Sequence, residues 1–132
     1  MIKSIAHIGI AVKNMDDAVK AYKALGLKLE KVESVPEQGV KTGFLPVGGG
    51  YVEFLEALNA ESGIAKFIEK RGEGIHHICL EVDNLEKELQ SLAANGVELI
   101  DKQPRKGVEG KIAFVHPKST KGVLIELVEK HK

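Results

Sequence analysis

The chain has 132 residues, of which 43% are hydrophobic and 29% are charged, a length and composition that suit one folded domain and exclude a disordered chain. Nineteen basic and nineteen acidic residues give a formal net charge of zero, so we expect no nucleic-acid partner and no anionic membrane surface. No apolar run approaches the ~18 residues that a membrane span needs, and the single cysteine allows no internal disulfide. These features predict a soluble protein of the cytoplasm.

The first 60 residues predict a strand, a helix and three further strands. Residues 5–12 alternate in character, with Ile8 and Ile10 on one face and His7 on the other, which indicates a strand. A helix then begins at Asn14, carries apolar residues at spacings of four and three, and ends near Gly26. The further strands are predicted at 28–35, 41–46 and 51–57.

The remaining residues predict a connecting helix and a second set of the same elements. Ser62 is a suitable N-cap for the connecting helix, which ends in the glycine-containing segment 71–74. Strands are predicted at 75–82, 98–101, 111–116 and 123–128, with a helix from Asn84 to about Asn95 between the first two.

The two halves are copies of one βαβββ module. An offset of 70 residues aligns His7 with His77, and an offset of 73 aligns Glu53 with Glu126 near the ends of the copies. A module of about 60 residues is marginal alone, so we expect one domain over residues 1–132. It would comprise a first module at 1–60, a helical connector at 61–74 and a second module at 75–132. We expect an α+β fold in which the paired modules form a curled mixed sheet around a metal-binding cleft.

Four side chains with ligand chemistry recur at equivalent places in the two modules: His7, Glu53, His77 and Glu126. Each is out of phase with neighbouring core residues, so a strand's period of two directs it away from the helix-covered face. Two carboxylates buried together would repel each other, and a divalent cation would remove that repulsion. Two nitrogens and two oxygens suit Co²⁺, Mn²⁺, Ni²⁺ or Zn²⁺. An octahedral ion would keep two positions for water or substrate, as in catalytic sites.

Simpler explanations exist for each residue taken alone. A histidine at a strand end is commonly a hydrogen-bonded core residue, and a glutamate on a last strand is commonly solvated. The recurrence of an imidazole and a carboxylate at equivalent inward positions favours the metal site over these explanations.

The paired modules, with His and Glu at these positions, resemble the vicinal oxygen chelate superfamily, which includes glyoxalase I, extradiol dioxygenases and methylmalonyl-CoA epimerases. Residues 36–40, 65–77, 116–119 and 122–127 resemble the epimerase family in particular. That resemblance covers nearly the whole chain. It implies an isomerase that interconverts (2R)- and (2S)-methylmalonyl-CoA through an enolate, with a divalent metal, Co²⁺ foremost, and a homodimeric assembly.

The resemblance also implies roles for individual residues. His7, Glu53, His77 and Glu126 would be the metal ligands, with Glu126 as one catalytic base and Glu53 as the leading candidate for the other. Some epimerases carry a catalytic glutamate where this chain has Thr42, and a threonine hydroxyl cannot act as a base at neutral pH. Substrate contacts are expected from a further set of residues: Gln38, Thr42, Lys111, Lys118 and Ser119.

Two other functions fit the same residues. A glyoxalase I-like lactoylglutathione lyase can use the same ligands and related enolate chemistry. Its usual turn before the last ligand resembles Asp-Pro-Asp-Gly, whereas residues 116–122 read His-Pro-Lys-Ser-Thr-Lys-Gly, which favours the epimerase. A non-enzymatic small-molecule-binding protein is the other alternative, and such members of the superfamily generally lose the ligands.

Overall fold

The computed structural model describes residues 1–131. Its strands and α-helices follow in the order β1 (Ile2–Ala11), α1 (Met15–Lys23), β2 (Lys31–Val35), β3 (Val40–Val47), β4 (Gly50–Ala57), α2 (Gly63–Arg71), β5 (Gly74–Val82), α3 (Leu85–Ala94), β6 (Arg105–Lys106), β7 (Gly110–Val115) and β8 (Ile125–Lys130). Single turns of 3₁₀ helix lie at Pro36–Gln38 and Pro117–Ser119. This order confirms two βαβββ modules joined by a helix.

The chain divides into two compact units, which we call the first unit (His7–His76) and the second unit (Met1–Ala6 with the chain from His77 onward). These boundaries differ from the predicted module ends because the start of β1 packs in the second unit. Ala6 belongs there to a buried cluster with Cys79, Ile112 and Val128. The organisation of the chain as one domain stays a prediction.

The two units have the same strand topology. In the first unit the order is β2-β3-β4-β1, and in the second it is β5-β8-β7-β6. The β1–β4 and β5–β8 pairs are parallel, and the others within each unit are antiparallel. Each unit therefore contains a mixed sheet, as predicted. The registers also agree, since Phe44 lies opposite Glu53 and Phe114 lies opposite Glu126.

One face of each sheet is covered by α1 or α3 through equivalent residues. In the first unit Met15 of α1 packs with Leu45 and Phe54 in a cluster of buried residues. In the second unit Leu85 of α3 packs with residues of β7 and β8, among them Leu127. Burying these side chains removes apolar area from water at about 25 cal/mol per Å², which fixes the helix-facing side of every strand.

The helices α1 and α3 begin on equivalent caps. Asn14 accepts a hydrogen bond from the Asp17 N–H at 2.9 Å, and Asn84 accepts one from the Lys87 N–H at 3.1 Å. A carboxylate from the last strand also accepts the first helical N–H, Glu56 for α1 and Glu129 for α3. Negative charge at a helix N-terminus is favourable because the helix dipole is positive there.

The strand predicted at 98–101 is wrong. That segment makes a single bridge, between Leu99 and Val115, and the edge strand β6 forms later, at Arg105–Lys106. The Asp101 side chain accepts the Phe114 N–H at 2.8 Å. A side chain thus supplies the acceptor that a continuous strand would supply from its backbone, so the ladder is interrupted there.

Asn84→Ala is expected to lower the free energy of unfolding by about 1 kcal/mol, because the first turn of α3 loses its cap. Urea denaturation measures this change. Ser91→Ala, at an exposed position of the same helix, is the matched control and should lose no stability because alanine favours helix. Equal stability of Asn84→Ala and wild type would contradict the capping role.

Glu81 is expected to contribute stability that depends on pH. Burial acts to raise the pKa of Glu81, but Lys130 and Lys3 outweigh it and hold that pKa below its ordinary value. A depressed folded-state pKa stabilises above the unfolded pKa, and the contribution disappears as pH falls through the folded pKa. Glu81→Gln should therefore cost about 1 kcal/mol or less at pH 7 and less than that near pH 3, by urea denaturation at both values. A larger loss at the acid pH would contradict this sign.

Candidate functional site

The first unit holds a buried imidazole–carboxylate pair. His7 lies on β1 and Glu53 on β4, and their side chains approach to 3.7 Å between Nε2 and Oε2. Only 3% of His7 and 7% of Glu53 is exposed. Gly9 lies opposite Glu53 in the parallel ladder, so the residue next to the glutamate has no side chain to compete with the imidazole for space.

The second unit repeats this pair. His77 on β5 and Glu126 on β8 approach to 3.0 Å between Nε2 and Oε1, and they are 4% and 8% exposed. The small side chain of Cys79 takes the place of Gly9, opposite Glu126. Both pairs therefore arise from one register, repeated along the chain.

Both pairs lie on the sheet face opposite to α1 and α3, and in the first unit Ile64 of α2 packs farther along the same face, against Leu55. The residues that follow the two glutamates, Phe54 and Leu127, are members of the helix-facing clusters, and successive strand residues point to opposite faces. The orientation away from α1 and α3 was predicted from sequence and is confirmed. The assignment of the four side chains as metal ligands or bases stays a prediction.

The chemistry of the pairs fits a divalent cation. Imidazole nitrogen and carboxylate oxygen are both electron-pair donors that bind such ions at about 2.0–2.2 Å. Two donors at that distance and at right angles to each other around an ion are about 3.0 Å apart. The 3.0 Å separation of His77 and Glu126 suits that arrangement. A buried carboxylate also needs compensating positive charge, which an ion between the donors would supply.

Each glutamate has a phenylalanine as its antiparallel neighbour, a feature that the sequence interpretation used only to align the repeats. Phe44 lies opposite Glu53 and Phe114 opposite Glu126, and the Phe114 ring is 6.1 Å from the His77 ring between centroids. A cation lies over each ring. Lys31 Nζ is 4.9 Å from the Phe44 centroid, and Arg105 of β6 lies over the Phe114 ring. The candidate sites thus have apolar, cation-covered flanks.

The predicted substrate contacts lie in several places. Gln38 is exposed on the 3₁₀ turn between β2 and β3. Thr42 is 4% exposed, lies on the Glu53 face of β3 by register, and donates its hydroxyl to the Glu33 carbonyl at 3.1 Å. Lys111 approaches Glu86 of α3 at 3.8 Å, which places it on the helix-covered face of β7.

Lys118 and Ser119 belong to the 3₁₀ turn that precedes β8. The Ser119 hydroxyl accepts the Glu98 N–H at 2.9 Å, and His116 Nδ1 accepts the Lys118 N–H at 3.0 Å. These bonds hold the turn together and leave the Lys118 side chain exposed. Substrate contact by either residue stays a prediction.

None of the helices within residues 1–131 combines the length and the apolar character that crossing a membrane requires.

Comparison with known proteins shows one superfamily, and several similar proteins in it are methylmalonyl-CoA epimerases. The model of the glyoxalase/bleomycin resistance protein/dioxygenase superfamily matches residues 6–114. The mitochondrial methylmalonyl-CoA epimerase of Dictyostelium discoideum is 38% identical over 98% of this chain and 80% of its own. The crystal structure of methylmalonyl-CoA epimerase from Mycobacterium tuberculosis is similar with a TM-score of 0.93 and 36% identity, over 99% of this chain and 90% of the other.

A third similar structure contains a ligand. It is a methylmalonyl-CoA epimerase in complex with methylmalonyl-CoA and NH4+, with a TM-score of 0.92 and 34% identity over 98% of this chain and 96% of the other.

Glu126→Gln is expected to weaken stabilisation by added Co²⁺. An ion at one hundred times its dissociation constant raises the free energy of unfolding by about 2.7 kcal/mol, and a hundredfold loss of affinity reduces that gain to about 0.4 kcal/mol. Thermal melts with and without the ion measure the difference. Glu61→Gln, an exposed carboxylate, is the control. Equal stabilisation of Glu126→Gln and wild type would contradict the ligand role.

Proposed function

Since the chain belongs to the glyoxalase/bleomycin resistance protein/dioxygenase superfamily and, within it, to the methylmalonyl-CoA epimerases, we propose that it interconverts (2R)- and (2S)-methylmalonyl-CoA. The observation that carries the proposal is the buried imidazole–carboxylate pair present in each unit. Epimerisation at C2 needs a base on each side of the reacting carbon, and a duplicated glutamate can supply two.

A divalent metal ion as cofactor is supported by the superfamily and by the buried donor pairs. We propose that one ion is held jointly by His7, Glu53, His77 and Glu126, and that residues 1–132 accordingly function as one domain of two repeats. Co²⁺ is the proposed ion, and the same donors also suit Mn²⁺, Ni²⁺ and Zn²⁺. When bound, the ion supplies positive charge that stabilises negative charge developing on substrate oxygens.

The proton transfers are assigned to the two glutamates. Glu126 is proposed to remove the C2 proton from one epimer, and Glu53 is proposed to return a proton to the opposite face of the enolate. The Glu53 Oε2 is 3.7 Å from its imidazole, whereas the Glu126 Oε1 is 3.0 Å from its own. Binding to a cation lowers the basicity of a carboxylate, so each glutamate acts with an oxygen that is not held by the ion.

The structure supports leaving Thr42 out of the proton transfers. Its hydroxyl proton is used in the hydrogen bond to the Glu33 carbonyl, and a neutral hydroxyl is a weak base. Thr42 therefore acts by position, tying β3 to β2 beside the site and presenting its methyl group on the Glu53 face.

The surroundings of the glutamates keep water from competing for the proton. Phe44, which lies opposite Glu53 in the ladder, is only 1% exposed. A carbanion formed in such a place is less exposed to protonation by bulk water than one in an open groove. Gln38, Lys111, Lys118 and Ser119 remain the proposed contacts to the remainder of the substrate.

We further propose that the protein is a cytoplasmic homodimer. Ile2 and Ile5 of β1 are 51% and 59% exposed, and a second copy of the chain would remove such side chains from water. Light scattering after size-exclusion chromatography measures the assembly, and a monomer at micromolar concentration would contradict the dimer.

Metal content is expected to be one ion per chain, because four donors shared between two pairs make one complete site. Elemental analysis of the purified protein measures the ratio. His7→Ala and His77→Ala should each abolish high-affinity binding. Two ions per chain, or a single substitution that leaves half of the metal in place, would show that each pair binds separately.

Glu126→Gln and Glu53→Gln are each expected to slow epimerisation by about a hundredfold or more, because each removes one base. Incubation of each pure epimer in D₂O, followed by NMR at C2, separates the two bases. Each variant should still exchange the C2 proton of one epimer, and the two variants should differ in which epimer that is.

Glu61→Gln should behave as wild type in this assay. Undiminished exchange of both epimers by Glu126→Gln would refute its role as a base. Turnover of the methylglyoxal–glutathione hemithioacetal, without turnover of methylmalonyl-CoA, would instead establish a lactoylglutathione lyase.

A further inference from the structure

Arg105 lies on the same sheet face as the Glu126 carboxylate. It is the first residue of the edge strand β6 and pairs in register with Ile112 of β7. Ile112 and Phe114 are two residues apart and so share a face, and Phe114 lies opposite Glu126. The next residue along β6, Lys106, therefore points to the other face.

The guanidinium of Arg105 is fixed by two contacts. Its central carbon lies 5.3 Å from the centroid of the Phe114 ring, within the range of a cation–π interaction. Its Nε lies 3.3 Å from Oδ1 of Asp101, and Oδ2 of that aspartate accepts the Phe114 N–H at 2.8 Å. The ring, the aspartate and the guanidinium therefore hold one another in place beside the His77 ring.

This arrangement leaves one edge of the guanidinium available to a ligand. The pairing with Asp101 uses Nε, and no second carboxylate of residues 1–131 lies within 4.0 Å of the guanidinium. The side chain is 47% exposed. A planar fork with its remaining N–H donors directed outward matches an oxyanion, which it can bind through two hydrogen bonds.

The corresponding cation of the first unit differs in this respect. Lys31 Nζ lies over Phe44 but is also 3.4 Å from Glu33. It offers a single point charge that already has an acidic neighbour, and it has no second donor edge.

We propose that Arg105 recognises an oxyanion of the substrate, either the carboxylate of the malonyl group or a phosphate of the coenzyme A portion. The inference rests on the proposed function and deepens it. Arg105 and Glu126 are separated by two strand spacings and by two residues along the strand, or about 12 Å between backbones. An extended arginine side chain at that distance can meet a group attached to the reacting carbon or the chain that carries it.

The test compares Arg105→Gln with Lys106→Gln, which removes the same charge from the next residue on the opposite face. Steady-state epimerisation is measured with methylmalonyl-CoA and with methylmalonyl-pantetheine, which keeps the carboxylate and lacks the nucleotide phosphates. Arg105→Gln should raise KM for methylmalonyl-CoA about tenfold with little change in kcat, since it removes one charged contact in binding. Lys106→Gln should leave KM within about twofold of wild type.

Each result decides the proposal. A raised KM with both substrates identifies the carboxylate, and a raised KM with methylmalonyl-CoA alone identifies a phosphate. An unchanged KM for Arg105→Gln, or equal increases in KM for Arg105→Gln and Lys106→Gln, would overturn recognition of the oxyanion by Arg105. Turnover by the wild-type protein would still support the proposed function in that case. A wild-type protein without turnover would overturn both.

A conservative variant guards against loss of folding. Arg105→Lys keeps the positive charge over Phe114 but has no fork, so KM should rise several-fold while the melting temperature stays near that of wild type. A wild-type KM for Arg105→Lys would overturn recognition by the fork.

Discussion

The burial of a carboxylate beside an imidazole, on the sheet face opposite to α1 or α3, is the constraint on which the rest of each unit depends. A glutamate that is less than a tenth exposed loses most of its hydration, and that loss must be balanced by charge or hydrogen bonding. The parallel pairing of the first and last strand of each module places the imidazole two residues along the ladder from the carboxylate. The helices, caps and apolar clusters on the opposite face then hold those strands in register.

The proton chemistry proposed for the chain follows from how the sequence uses duplication. One gene segment that supplies a histidine and a glutamate yields, on copying, two donors of each kind. The separations of 3.7 Å and 3.0 Å show that the two copies are not identical in geometry. Two bases that act on opposite faces of one carbon do not need identical environments, but both must reach that carbon.

Much of this was accessible from sequence because the relevant signals repeat. The offset of His7 and His77, together with strand alternation, predicted the four side chains and their face. The prediction of a strand at 98–101 was wrong because alternation cannot detect that the Asp101 carboxylate takes the place of a backbone acceptor.

Arg105 was missed for a related reason. The 70-residue offset aligns Lys31, the cation over Phe44, with Asp101 and not with Arg105. The repeat therefore gives no indication that Arg105 lies over Phe114. The placement of residues 1–6 in the second unit depends on contacts far along the chain, which no local pattern reports.

The last strand of each module carries two carboxylates, three residues apart, that make different contacts. Glu53 and Glu126 belong to the pairs, whereas Glu56 and Glu129 accept the first N–H of a helix. An odd spacing along a strand directs the two carboxylates to opposite faces. Adding or deleting one residue before them would therefore move each carboxylate to the other face, and both sets of contacts would be lost. Insertions and deletions in β4 and β8 should therefore be selected against.

The three-residue difference in length between the modules fits this expectation, because it falls between Phe114 and Glu126, in the segment that contains the 3₁₀ turn before β8. Length variation among descendants of this duplication is thereby channelled into the turns, which makes the turns the natural place for new substrate preferences to arise.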